Sequence, residues 1–203
     1  MIERFNKIFT IIGARGTGKT TIVKGDAKLK LRGLIDIYLK KGIKVLIVDT
    51  DDHPAYRDVP ILTMESFKNF KTGVARILID PEDINSFCRW FTDSNNHWNT
   101  FLIFEDARKH SEKSICKELN RLMGNSKQQN IDICFMYHSF GETPLDLYRK
   151  IDYIELCKTL DTPLVRKESL SACFDKVMKA FNTLQASTDR FKHITISTID
   201  EIR

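Results

Sequence analysis

Residues 13–20 read Gly-Ala-Arg-Gly-Thr-Gly-Lys-Thr, which meets every fixed position of the spacing G-x-x-x-x-G-K-[ST]. These residue types at this spacing can hold a chain of phosphates. Gly13, Gly16 and Gly18 let the backbone curl tightly and turn its N–H groups inward onto phosphate oxygens. Lys19 offers a point charge to β- and γ-phosphates, and the Thr20 hydroxyl can ligate Mg²⁺. An apolar run precedes the stretch, and a helix-compatible segment follows with its positive end toward the anion. The candidate nucleotide-binding residues are Gly13, Ala14, Arg15, Gly16, Thr17, Gly18, Lys19, Thr20 and Thr21, with ATP and Mg²⁺ as the expected ligands.

A second set of chemical groups lies further along the chain. The apolar run 101–104 ends at Glu105-Asp106. In an open parallel sheet, ligands gather at the carboxyl ends of strands. One carboxylate there can hold Mg²⁺ through its water shell, and the next can polarise an attacking water. Glu105 is assigned to the metal and Asp106 to the water. Asp49 and Asp80 also end apolar runs. Asp49 opens the acidic stretch Thr50-Asp51-Asp52, which can sit near a nucleotide, whereas Asp80 precedes Pro81 and reads as a turn residue.

These groups need a scaffold, and the chain alternates short apolar runs with longer amphipathic segments. That pattern predicts an α/β fold, a mostly parallel central sheet with helices on both faces. Strands are expected at 7–12, 43–48, 76–79, 101–104, 131–137 and 153–157, with an edge strand at 59–62 and a last strand at 193–196. Helices are expected at 19–40, 82–93, 111–126, 144–149 and 167–184. Gly25 and Gly33 weaken or bend the first of these, and Gly42 ends it. No repeat, linker or low-complexity tract interrupts the 203 residues, so one domain is expected, with its core at about 5–165 and a C-terminal helix, strand or partner-binding tail at 166–203.

Composition narrows the function classes less than the motifs do. Hydrophobic residues at 42% and charged residues at 29% describe an ordinary globular chain, and a net charge of +5 does not by itself argue for nucleic acid. Lys24, Lys28, Lys30, Arg32, Lys40, Lys41 and Lys44 form a basic segment that reads as a solvated helix face ahead of a DNA contact. The five cysteines lie far apart, lack any C-x-x-C pair, and are expected as reduced thiols. The start Met1-Ile2-Glu3-Arg4-Phe5 lacks a signal-peptide pattern, and no apolar stretch has the length of a membrane span. The expected location is the cytoplasm.

A third feature carries a family resemblance. The stretch 127–139, ending Cys134-Phe135-Met136-Tyr137-His138-Ser139, is similar to the strand after the acidic pair in the HerA/FtsK superfamily of P-loop ATPases. Residues 139–147 with 153–156 resemble members from phages and mobile elements, among them DNA-packaging and zonula-occludens-toxin-like ATPases. The resemblance spans about 5–165 and implies a RecA/FtsK-like core. It implies that His138 senses the γ-phosphate and that Lys127 reaches a neighbouring subunit's nucleotide as a finger, with Arg121 and Arg108 as rivals. Two departures stand out. The pair is Glu-Asp instead of the commoner Asp-Glu, which leaves metal and base roles exchangeable, and a lysine finger lacks the bidentate fork of arginine. The implied activity is ATP hydrolysis by a homo-oligomeric ring that translocates or packages double-stranded DNA, in the host cytoplasm for a phage-encoded chain. The alternative is an assembly or secretion ATPase acting on a capsid or membrane protein. A small-molecule kinase ranks last, because no arginine-rich lid segment is present.

Overall fold

The computed structural model describes residues 6–94, 97–111 and 114–198. The strands are β1 (Ile8–Ile12), β2 (Gly25–Asp26), β3 (Leu31–Arg32), β4 (Lys44–Asp49), β5 (Val74–Leu78), β6 (Thr100–Phe104), β7 (Ile131–Tyr137), β8 (Tyr153–Leu156) and β9 (Ile194–Ser197). The α-helices are α1 (Lys19–Lys24), α2 (Leu34–Lys40), α3 (Met64–Phe67), α4 (Ile84–Asp93), α5 (Lys117–Gln129), α6 (Lys167–Leu170) and α7 (Phe174–Ala186).

Seven strands form one sheet in the order β5-β4-β6-β7-β1-β8-β9. All its pairings are parallel except β8 with β9. The central strands β1, β4, β6 and β7 are buried along their whole length, as strands covered on both faces must be. Strand alternation sends their side chains to two cores. Phe9, Val45, Ile47, Phe101, Ile103 and Cys134 pack with Val23 of α1 and Ile35 and Tyr38 of α2. Leu46, Leu102, Phe104 and Phe135 pack on the other face with Phe87 and Phe91 of α4, Leu119 and Leu122 of α5, and Val177 of α7. The expected α/β architecture with helices on both faces is therefore present.

Four helical expectations are corrected. The segment 19–40 is two helices separated by the β2–β3 hairpin. Gly25 has φ 84°, and a Cβ on Gly33 would lie 2.3 Å from the Gly25 nitrogen. The backbone crosses itself there, which only a pair without side chains permits. The segment 144–149 is a run of turns, with Leu147 N–H bonded to the Pro144 carbonyl and Lys150 N–H to that of Leu147. The segment 167–184 breaks at Ser171, φ 43°, where the chain turns so that both Leu170 and Cys173 reach the core. The helix expected at 111–126 runs Lys117–Gln129, and residues 112–113 lie outside the described residues. The edge strand expected at 59–62 is reduced to one bridge, Ile61 to Arg76. The last strand is present as β9. The expectation placed on the first five residues, and the end of the tail from 199, lie outside the described residues.

Candidate nucleotide site

The carboxyl ends of β1, β4, β6 and β7 lie side by side, and each delivers one part of the site. From β1 comes the loop 13–18. It is pinned to the end of β7 and to the segment after β8: Gly13 N–H donates to the Tyr137 carbonyl at 3.1 Å, and Ala14 N–H donates to that of Lys158 at 2.8 Å. The Thr17 hydroxyl closes the loop onto the Ala14 carbonyl at 2.8 Å. Gly16 and Gly18 have φ 72° and 94°, in the left-handed region that favours glycine. Gly13 serves a different need, since a Cβ there would lie 2.5 Å from Cβ of Cys157.

A cavity of about 480 Å³ opens beside the loop. Arg15, Gly16, Gly18, Lys19, Thr20 and Thr21 line it from the loop side. Asp49, Thr50, Asp51 and His53 line it from the end of β4, Glu105 and Asp106 from β6, and His138 from β7. Gly13, Ala14 and Thr17 anchor the loop from behind instead.

Lys19 is buried. Its ammonium donates to the Gly13 carbonyl at 2.6 Å and the Ala14 carbonyl at 3.2 Å, and lies 2.9 Å from Nδ1 of His138. An ammonium has only donors, so Nδ1 is the acceptor and the ring proton belongs on Nε2. That Nε2 is 3.8 Å from Oδ1 of Asp106. Burial, and secondly Lys19, hold the His138 pKa below the usual histidine value, so the ring is neutral near pH 7. Burial also lowers the Lys19 pKa, although Glu105, Cys157 and Asp106 oppose it.

The two carboxylates occupy different environments. Glu105 is buried and accepts the Tyr56 hydroxyl proton at 3.0 Å. Desolvation raises its pKa, against the lowering influence of His53, Tyr56 and Lys19. Asp106 takes a left-handed backbone, φ 46°, a strained setting for a non-glycine residue. Its Oδ1 is buried and has no hydrogen-bond partner among the described residues. Asp49, also buried, pairs with Arg76 at 3.3 Å and accepts the N–H groups of Asp51 and His53. It therefore orders the β4 loop.

Lys127 is not brought to this cavity. It lies in the last turn of α5, where its carbonyl accepts from Asn6 beside the start of β7, at the opposite end of the sheet. Arg121 pairs with Asp93 and Glu118 on the same flank as α4. Arg108 is nearer. It pairs with Glu142 at 2.9 Å, and the other oxygen of Glu142 accepts the His138 N–H.

Four residues at the site escaped the sequence. His53 and Tyr56 sit in a polar loop with no diagnostic spacing, and only the acidic end at Asp49 hinted at that loop. Arg190 and Phe191 come from the C-terminal segment. The Arg190 guanidinium donates to the Arg15 carbonyl at 3.3 Å, and the Phe191 ring packs 3.3 Å from where a Gly18 Cβ would stand.

The architecture matches solved structures along almost its whole length. The genome-packaging NTPase B204 of Sulfolobus turreted icosahedral virus 2, in complex with ATP-γS, superposes with a TM-score of 0.72 at 13% identity, over 95% of this chain and 92% of that one. B204 of Sulfolobus turreted icosahedral virus, a DNA-packaging ATPase, superposes with a TM-score of 0.68 at 13% identity, over 98% and 100%. The fold is that of the P-loop NTPases. The pCW3 conjugation coupling protein TcpA with ATP-γS superposes more distantly, with a TM-score of 0.52 at 10% identity over 96% and 58%. No protein-family model matches the sequence, and no curated protein does.

Proposed function

We propose that this chain hydrolyses ATP in the cavity between β1, β4, β6 and β7, and that a ring of its copies uses the turnover to package or translocate double-stranded DNA. The observation that carries the first part is convergence. Lys19, Glu105, Asp106 and His138, drawn from three separate strand ends, line one cavity.

The residues divide the work by chemistry. Inward N–H groups around Gly16 and Gly18, with the Lys19 charge, bind the phosphates. Lys19 must exchange the Gly13 and Ala14 carbonyls for phosphate oxygens, and His138 registers that exchange through its 2.9 Å contact. The Asp106 carboxylate, which lines the cavity, fits an acceptor for the attacking water's proton. Thr20 and Glu105 fit Mg²⁺. Bound there, Mg²⁺ supplies charge neutralisation at the phosphate oxygens and favours the ionised form of the buried Glu105. As a finger, Lys127 would serve a neighbouring subunit's site, since it sits at the end of the sheet opposite its own cavity.

The DNA part is supported by similarity over nearly the full chain to two genome-packaging enzymes. Among the described residues no helix is long and apolar enough to cross a membrane. A protein-directed assembly role is the second reading, and the exposed Leu160, Leu164 and Val165 after β8 favour a protein contact of some kind. DNA-stimulated turnover decides between them. Stimulation by linear double-stranded DNA supports the motor, and stimulation only by a capsid or membrane protein supports the second reading.

A further inference from the structure

The basic residues between 24 and 44 part company in the folded chain. Lys24 pairs with Asp58, and Lys44 is buried at the start of β4. Lys28, Lys30 and Arg32 lie instead on the β2–β3 hairpin, and all three are exposed. The hairpin is an ordered element. At its base the backbones of Gly25 and Gly33 are in contact. At its tip the Asp26 Oδ1 accepts the N–H groups of Lys28 and Leu29 at 2.8 and 3.1 Å, and Lys30 N–H donates to the Ala27 carbonyl at 3.3 Å.

Asp26 is thus spent on the turn, and Lys28, Lys30 and Arg32 have no ion-pair partner among the described residues. Asp36 on α2, the next acid along the chain, pairs with none of them. Like charges held this close repel one another, and an anionic partner relieves that repulsion. The basic surface continues across a cavity of about 300 Å³, which Leu31 and Arg32 line from the hairpin and Phe191 and His193 from the C-terminal segment. Lys192, exposed between those two, also has no ion-pair partner among the described residues. The carboxylate in that cavity, Glu155, has its side chain 13% exposed, accepts from the Thr195 hydroxyl at 2.7 Å and faces His193 Nε2 at 3.4 Å. Separate cations spread over two segments match repeating phosphates better than one small anion. Only α1 stands between this hairpin and the phosphate loop.

We infer that the β2–β3 hairpin is the element that grips DNA, with Lys28, Lys30 and Arg32 on backbone phosphates and Lys192 extending the track. Such contacts hold the duplex without reading its bases, as a motor that moves along any sequence requires. The inference rests on the DNA-motor reading and names the surface that serves it.

The test measures binding of a fluorescent linear duplex to the whole chain by anisotropy, from low to moderate salt, in two triple variants that remove the same charge. One carries Lys28→Gln, Lys30→Gln and Arg32→Gln. The other carries Lys71→Gln, Lys117→Gln and Lys179→Gln, exposed lysines outside the hairpin. The hairpin variant should bind duplexes of any sequence about tenfold or more weakly at low salt, and its salt slope should be smaller by about 2–3. The control variant should stay close to the wild type, and ATP binding should be unchanged in both. A hairpin variant equal to the wild type in affinity and slope, or a control variant that loses as much, would overturn the hairpin assignment and leave the DNA reading standing. A wild type that binds no duplex at any salt would overturn the DNA reading and the assignment with it. Wild-type binding to vesicles of anionic lipid but not to duplex would likewise overturn both and give the hairpin to a membrane surface.

Discussion

The Lys19 ammonium lies 2.9 Å from Nδ1 of His138, and this contact joins the phosphate loop to the strand end that follows the acidic pair. On its other side the ring faces Asp106 at 3.8 Å. One imidazole therefore stands between the group expected to bind phosphate and the group expected to handle water. It is neutral there because burial and Lys19 disfavour its charge.

A pH dependence follows. As pH falls through the lowered His138 pKa, Nδ1 gains a proton and two cations face each other. Turnover should fall at acid pH, and stability should fall with it, because the unfolded chain binds that proton more readily below about pH 6.5. Rate against pH for His138→Gln checks this. The variant should shift the midpoint of the acid limb, and an unchanged midpoint would remove His138 from the coupling.

Lys19→Ala should weaken ATP by about 10- to 100-fold, the range for losing a hydrogen bond to a charged group. Titration with a fluorescent ATP analogue reads it directly. Wild-type affinity would mean that the nucleotide does not use this loop.

Glu105→Gln and Asp106→Asn should each spare ATP binding and reduce hydrolysis on the order of a hundredfold or more. Glu105→Gln should also stabilise the fold. The raised Glu105 pKa means that the folded state resists ionising it, so its charge costs stability above that pKa and the cost disappears as pH falls through it. A gain in Tm of about 2–4 °C near pH 8, shrinking toward acid pH, is expected. A lower Tm at pH 8 would contradict this account of Glu105.

Two glycine variants test the hairpin crossing. Gly33→Ala should cost about 1–3 kcal/mol or more, because its Cβ meets three backbone atoms of residues 23–25 within 2.4 Å. Gly124→Ala on the exposed side of α5, where nothing lies within 4 Å, should instead stabilise by about 0.5–1 kcal/mol. Urea midpoints measure both, and equal effects would refute the crossing.

Much of the site is local in sequence and could be read from it. The loop 13–20 and the pair Glu105-Asp106 each lie in one short stretch attached to an apolar run, and the structure brings them to a single cavity. His138 could be placed because it directly ends β7. What escaped depends on contacts between distant segments. Gly25 and Gly33 looked like weak points in a helix, because only their mutual approach shows that the chain crosses there. Arg190 meets the Arg15 carbonyl across 175 positions, with no periodicity to signal it. The basic residues of 24–44, expected on and after the first helix, are divided by the structure. Lys24 pairs with Asp58, and Lys44 is buried at the start of β4 with its pKa lowered to about 8 by desolvation.

The most direct test of the central claim is ATPase rate against protein concentration, with and without linear double-stranded DNA, at low and moderate salt. A DNA-translocating ring predicts a rate that rises more steeply than protein concentration and a DNA stimulation that fades as salt increases. A rate proportional to concentration and indifferent to DNA at both salts would contradict it.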